Sequence, residues 1–292
     1  MAAASSNAQN QYQPSDEDLS LVLKRLMTTC QRKTDAARRR LANDRLTREY
    51  LEAGIRLMVA QFEAEDRTTD EDAQPEAGRP FFKWLSRTLV TEEVSRQLGT
   101  KTSDGSLRDR WYEQADYIED LLSYALWSRH WSLHVSNAQE SKELLASDPD
   151  FVRGIHLVAY KDLCILLENP AYRLSLIAAA IAEHDATVKQ AVGESYRVVS
   201  KSWQRLYETT LAERGLKLRP GVTFAELTHI LTALAEGVGM RMLSDPNIEV
   251  IDHERQESLL GKAALAIAAA FIDAGDGKSL EELVAGLVQP PE

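Results

Sequence analysis

The stretch Val94-Ser-Arg-Gln-Leu-Gly-Thr-Lys-Thr-Ser-Asp-Gly-Ser-Leu-Arg-Asp-Arg-Trp-Tyr112 decides how this chain is read. It reads as a short helix, a tight turn at Gly99, and a second short helix that opens near Asp104 and closes on aromatics. Two short helices joined by a glycine turn form a helix-turn-helix, a shape that can push its second helix into a DNA groove. Leu107 and Trp111 are core residues under any reading, because a three-helix unit needs apolar knobs there.

Charge on either side of the stretch sharpens that expectation. From Lys83 to Arg110 the basic residues Lys83, Arg87, Arg96, Lys101, Arg108 and Arg110 face Glu92, Glu93, Asp104 and Asp109, a thin positive excess. From Lys24 to Arg48, however, nine Lys and Arg stand against Asp35 and Asp44 only, a local +7 in a chain of net charge −11. Phosphate contact needs positive charge. The run is therefore expected to serve as an arm on the DNA backbone, through Arg38, Arg39, Arg40 and Arg45. Thr102, Ser103, Ser106, Arg108 and Arg110 are expected to face the major groove, with Arg108 or Arg110 bidentate to guanine. Thr100, Lys101, Thr102 and Tyr112 suit phosphate. The competing reading makes the basic run a solvated helix face paired with acids of the same molecule.

At 292 residues the chain can build one large domain or two medium ones. Residues 1–14 carry no charge and read as a disordered tail. Residues 15–114 read as a basic N-terminal helix plus the helix-turn-helix, with Ser15 as a helix N-cap. Within them, 63–80 form an acidic loop marked by Pro75, Gly78 and Pro80. Residues 115–292 read as helices almost throughout: Asp116 to about Ser136, Asp150 to Glu168, Ala171 to His184, Ala186 to Arg214, Thr223 to Leu243, Glu254 to Ala274 and Ser279 to Leu287. Thr223 with Glu226 spells a capping box. The fold class is all-α.

Several function classes find no support. No Walker or G-x-G-x-x-G pattern appears, and no Ser-His-Asp or Cys-His arrangement has local sequence support, so no enzyme activity is assigned. Cys30 and Cys164 suggest no disulfide framework. No apolar run approaches the length of a membrane span, and no secretory signal is visible, so a cytoplasmic location with no membrane partner is expected.

The order of pieces resembles the TetR family of bacterial transcription regulators. Arg48-Glu-Tyr-Leu-Glu-Ala-Gly-Ile-Arg-Leu-Met-Val-Ala-Gln-Phe62 precedes the opening stretch. Gly105-Ser-Leu-Arg-Asp-Arg-Trp111 is similar to the family's Gly-Thr-Leu-Tyr-x-x-Phe, and Asp116-Tyr-Ile118 to its Asp-Leu-Leu. This chain departs from the pattern in its spacing between Gly99 and Gly105, in Arg108 where a Tyr is usual, in Gln114 where a Lys is usual, and in the acidic insertion.

The resemblance implies an N-terminal DNA-binding domain and a larger helical domain for ligand binding and dimerisation. It implies a homodimer formed through the helices near 223–243 and 254–274, whose small residues Ala233, Ala235, Gly237 and Gly239 allow close approach. It also implies an apolar or amphipathic small-molecule effector. Candidate lining residues are Tyr124, Trp127, Trp131 and His134 on one helix, His156 and Tyr160 on the next, and Tyr196, Trp203 and Tyr207 on another. His130 and His134 are spaced to share a metal, but nothing else in the sequence supports one, and neither metal nor cofactor is assigned. The resulting expectation is a ligand-responsive regulator, a repressor, bound as a dimer to a pseudo-palindromic site on double-stranded DNA. Its rival is a TetR-like helical protein that has lost DNA binding and serves as a protein-interaction module.

Overall fold

The computed structural model describes residues 18–29, 33–65, 85–127, 132–147, 149–183, 185–245 and 247–288. Those residues are helical apart from connections and one two-stranded hairpin. The expected tail at 1–14 and the acidic segment from 66 to 80 lie outside them. The chain divides into two compact units, Met1–Leu121 and Leu122–Glu292.

In the first unit a 3-10 turn, Leu19–Leu21, leads into α1 (Lys24–Thr29), α2 (Asp35–Ala42), α3 (Arg45–Glu65), α4 (Arg87–Leu98), α5 (Asp104–Arg108) and α6 (Gln114–Ala125). The basic run is thus divided among three helices. Thr34 starts α2 by accepting a hydrogen bond from the Ala37 N–H at 3.3 Å. Asn43 ends that helix, and its carboxamide oxygen accepts from the Leu19 N–H at 2.8 Å. The first two acids of the expected loop, Glu63 and Glu65, still belong to α3.

Gly99 caps α4 with φ of 64°, a left-handed geometry that costs glycine nothing and other residues about 1 kcal/mol. Ser103 caps α5. Leu23, Leu26, Tyr50, Leu51, Met58, Val94, Leu107, Trp111 and Tyr117 form the buried centre. Gly54 lets α6 approach α3, since a Cβ there would run into the Tyr117 hydroxyl and lie 2.6 Å from Leu121 Cδ2.

The second unit holds α7 (Ser132–Ser147), α8 (Phe151–Glu168), α9 (Pro170–Ile181), α10 (Ala186–Glu213), α11 (Phe224–Ser244), β1 (Ile251–Asp252), β2 (Glu257–Ser258), α12 (Leu259–Phe271) and α13 (Leu280–Val288). Two expectations need correction. The single helix from Asp116 to Ser136 does not form. Leu126 still bonds back to Leu122, but the Trp127 N–H tightens onto the Tyr124 carbonyl at 3.1 Å, and among the described residues the next helix is α7. The last long helix does not begin at Glu254. Ile251 pairs with Ser258 and Asp252 with Glu257 in an antiparallel hairpin, and Ser258 then caps α12 by accepting from the Gly261 N–H at 3.1 Å.

Elsewhere the boundaries follow their signals. The Thr223–Glu226 capping box is present in full. Pro170 opens α9 and turns it 72° from α8. No single helix among the described residues is long and apolar enough to cross a membrane. The small residues of α11 divide between two faces. Ala235 and Gly239 are buried, and a Cβ on Gly239 would press on Tyr172, so these two serve packing within the unit. Ala233 is exposed, and a Cβ on Gly237 would meet open space.

Candidate functional site

In the first unit, the corner between α2 and α3 carries a cluster of positive charge beside a single acid, Asp44. Lys33, Arg39, Arg40 and Arg45 line one open groove there with Thr34 and Asn43. Arg38 is turned back onto Asp35 and is partly buried, while Arg45 reaches only loosely to Glu49 at 3.8 Å. Lys33 was counted in the basic run but not singled out as a contact, and Asn43 escaped the sequence reading. The signal was Thr34-Asp35, a helix start that breaks the basic run.

Arg110 requires a correction. It does not face outward for a base edge, because it is 5% exposed. Its Nε donates to Thr47 Oγ1 at 2.7 Å, its Nη1 to the Ser106 carbonyl at 2.7 Å, and its Nη2 to the Asp44 carboxylate. The guanidinium also lies over the Tyr50 ring, 5.5 Å from its centroid. Thr47 Oγ1 in turn donates to the Leu41 carbonyl at 2.6 Å. Arg110 therefore fastens the residues after α5 to the basic corner through Asp44 and Thr47.

Three more expected base-facing residues hold the turn itself. Thr102 donates its hydroxyl to the Thr91 carbonyl at 2.9 Å, and its N–H goes to Ser95 Oγ at 2.9 Å. Ser103 accepts from the Ser106 N–H at 3.3 Å, while Ser106 Oγ donates to the Ser103 carbonyl at 2.7 Å and meets the Tyr50 hydroxyl. Thr100, Lys101, Arg108 and Tyr112 are exposed as expected. The nearby Glu93 is drawn inward. Burial opposes its charge, but the Arg96 and Arg56 guanidiniums hold its carboxyl down at about 2.

Asp120 was invisible to sequence reasoning and organises the same unit. It is 0% exposed. Its carboxylate accepts from the backbone N–H groups of Arg25 at 2.9 Å and Leu26 at 2.8 Å, and from the Trp111 indole at 2.8 Å. Burial pushes its carboxyl up to about 7, against the pull of those three donors. The start of α1 is thereby held on α6, and Arg25 adds an ion pair to Glu119.

In the second unit, α8, α10, α11 and α12 enclose an apolar cavity of about 100 Å³. A smaller one of about 30 Å³ adjoins it, and Asp162, Trp203, Thr232 and Ala235 line both. Of the expected ligand-binding residues, Trp203 lines the main cavity, and His134 and Tyr196 line the smaller one. His134 Nδ1 lies 3.1 Å from Asp162 Oδ1, deep in the unit. Beside it burial lifts the Glu236 carboxyl to about 6, against a hydrogen bond from Tyr196.

Four expected lining residues lie elsewhere. Tyr124 is buried against Trp127, ring centroids 6.2 Å apart, and neither lines either cavity. His156 backs onto Gly261, and the Tyr160 hydroxyl pairs with His253 at 3.0 Å. Trp131 and His130 fall outside the described residues. Tyr207, expected beside Trp203 on the same helix, also lines the main cavity, while Asp162 and Thr210 were missed. Their signal was spacing: Ile155, Val158 and Asp162 share a face of α8, as Trp203, Tyr207 and Thr210 share one of α10. Compared with protein-family models, curated proteins and solved structures, the chain matches none.

Proposed function

We propose that the chain is a ligand-responsive, DNA-binding transcriptional regulator of TetR-like design, a cytoplasmic homodimer that represses from a pseudo-palindromic site. The observation that carries this reading is the Arg110–Asp44 contact. It ties the residues after α5 to the corner between α2 and α3, where Arg39, Arg40 and Arg45 are exposed, and Lys101 and Arg108 add exposed charge around α5. The second unit supports the rest. Its apolar cavity suits an effector. The outward residues of α11, Ile230, Ala233, Gly237 and Met240, with Leu259 on α12, offer an apolar stripe for a second copy. Ligand binding would then disfavour the head spacing that DNA requires, weakening DNA binding by the difference in its affinity for the two states.

One observation favours the rival protein-interaction module. With Arg110 buried and Arg96 paired to Glu93, few cations of the α4–α5 region remain outward beside Glu92, Asp104 and Asp109. A gel-shift titration against the DNA upstream of the chain's own gene, at two salt concentrations, separates the readings. The regulator forms a sequence-selective complex. Alanine at Arg39, Arg40 and Arg45 together weakens binding to every sequence and flattens the slope of log affinity against log salt by about 2 to 3. No selective complex at low salt refutes DNA binding and leaves the interaction module.

A further inference from the structure

The main cavity of the second unit has walls of Ile155, Val158, Trp203, Leu231, Ala264 and Phe271, among others. Its volume of about 100 Å³ is on the scale of a single ring, since an engineered apolar cavity of about 150 Å³ accommodates benzene. Four polar side chains also reach its lining: Asp162, Tyr207, Thr210 and Thr232. Thr232 is turned away, its hydroxyl donating to the Thr228 carbonyl at 2.9 Å.

Thr210 is different. It is 2% exposed, and its hydroxyl has no hydrogen-bond partner among the described residues. A buried hydroxyl without a partner costs about 1–3 kcal/mol, so a group that satisfies it is bound with advantage. Burial, and after it the charge of Asp162, push the Tyr207 phenol upward, and Tyr207 lies one turn before Thr210 on α10.

The lining selects among ligand chemistries. No Lys or Arg borders the cavity, and Asp162 repels anions, so carboxylates are disfavoured. A cation would have to shed its water into a mostly apolar chamber, against a carboxylate already engaged by His134. A neutral hydroxyl meets both polar groups, because it donates to a carboxylate and accepts from a threonine. We infer that this cavity binds a small neutral phenol or comparable single-ring alcohol, its hydroxyl between Asp162 and Thr210 and its ring against Trp203. The inference rests on reading the second unit as the effector-binding body, but its test involves no DNA.

The full chain is titrated with phenol, toluene, benzoate and benzylamine, followed by ligand-observed NMR and by melting temperature. Phenol is expected to bind more tightly than the other three. Thr210→Val is expected to weaken phenol about tenfold and to leave toluene within about twofold, the loss of one buried hydrogen bond. Ala264→Leu, or the milder Ala264→Val should the first not fold, is expected to weaken phenol and toluene together by filling the chamber. The inference is overturned if phenol does not bind, if benzoate or benzylamine binds better, or if Thr210→Val weakens phenol and toluene equally. Phenol binding without any selective DNA complex would overturn the regulator and keep the cavity assignment. A DNA complex without phenol binding would do the reverse.

Discussion

The two units differ in how some of their most deeply enclosed polar residues are met. In the first, Asp120 and Arg110 are almost fully enclosed, and each is surrounded by hydrogen-bond partners. In the second, the Thr210 hydroxyl and both amide atoms of Asn137, which is 1% exposed, have none among the described residues. A saturated network fixes one arrangement, whereas an unsatisfied one in a cavity wall leaves capacity for something else. The first pattern suits a rigid scaffold for a surface. The second suits a chamber whose contents change the energy of the unit.

The largest test of this contrast is Asp120→Ala. It strands three buried donors at once and is expected to cost about 3–5 kcal/mol in urea unfolding of the full chain. A loss below about 1 kcal/mol would mean that the network is not saturated in solution. A second test uses pH. The folded Asp120 carboxyl holds its proton up to about 7, above the unfolded value, so its contribution is complete in acid and disappears as pH rises through about 7. Unfolding midpoints measured from pH 5 to pH 8 should therefore fall, by on the order of a few kcal/mol, and Asp120→Asn should remove that part of the fall. Equal slopes in the two proteins would show that another group carries it.

The sharpest test applies one isosteric change to both units. Thr47→Val removes the hydroxyl that links Arg110 Nε to the Leu41 carbonyl, and about 1–3 kcal/mol of destabilisation is expected. Thr210→Val deletes a hydroxyl that has no partner among the described residues and should stabilise the fold by about 1–3 kcal/mol. If the two variants shifted the melting curve alike, the distinction between the units would fail.

Local signals in the sequence carried most of the helical fold. The Gly99 turn, the opening of α5 near Asp104, the capping box at Thr223 and the stop at Pro170 each depend on residues within four positions of one another, and all were legible. What escaped was long-range or very short. Asp120 meets Arg25 across 95 positions, and Arg110 meets Asp44 across 66, so neither contact leaves a pattern in any window of sequence. Arg110 looked like a DNA contact for the same reason, since a basic residue in a basic stretch does not announce burial. The hairpin at 251–258 was missed because strands of two residues cannot show alternation. In the second unit the aromatic residues were conspicuous, but the cavity is defined as much by Asp162 and Thr210, which composition does not single out.

Asp120 grips main-chain N–H groups at positions 25 and 26, which has a consequence for how this protein can vary among its descendants. A carboxylate that holds amide hydrogens does not register the side chain attached to them. Position 25 can drift through nearly every residue type while the fastening persists, and only proline, which lacks the hydrogen, is barred. The constraint is recorded at 120 and not at 25, so a comparison of related sequences would tie the aspartate to Trp111, whose indole it also holds, and not to position 25.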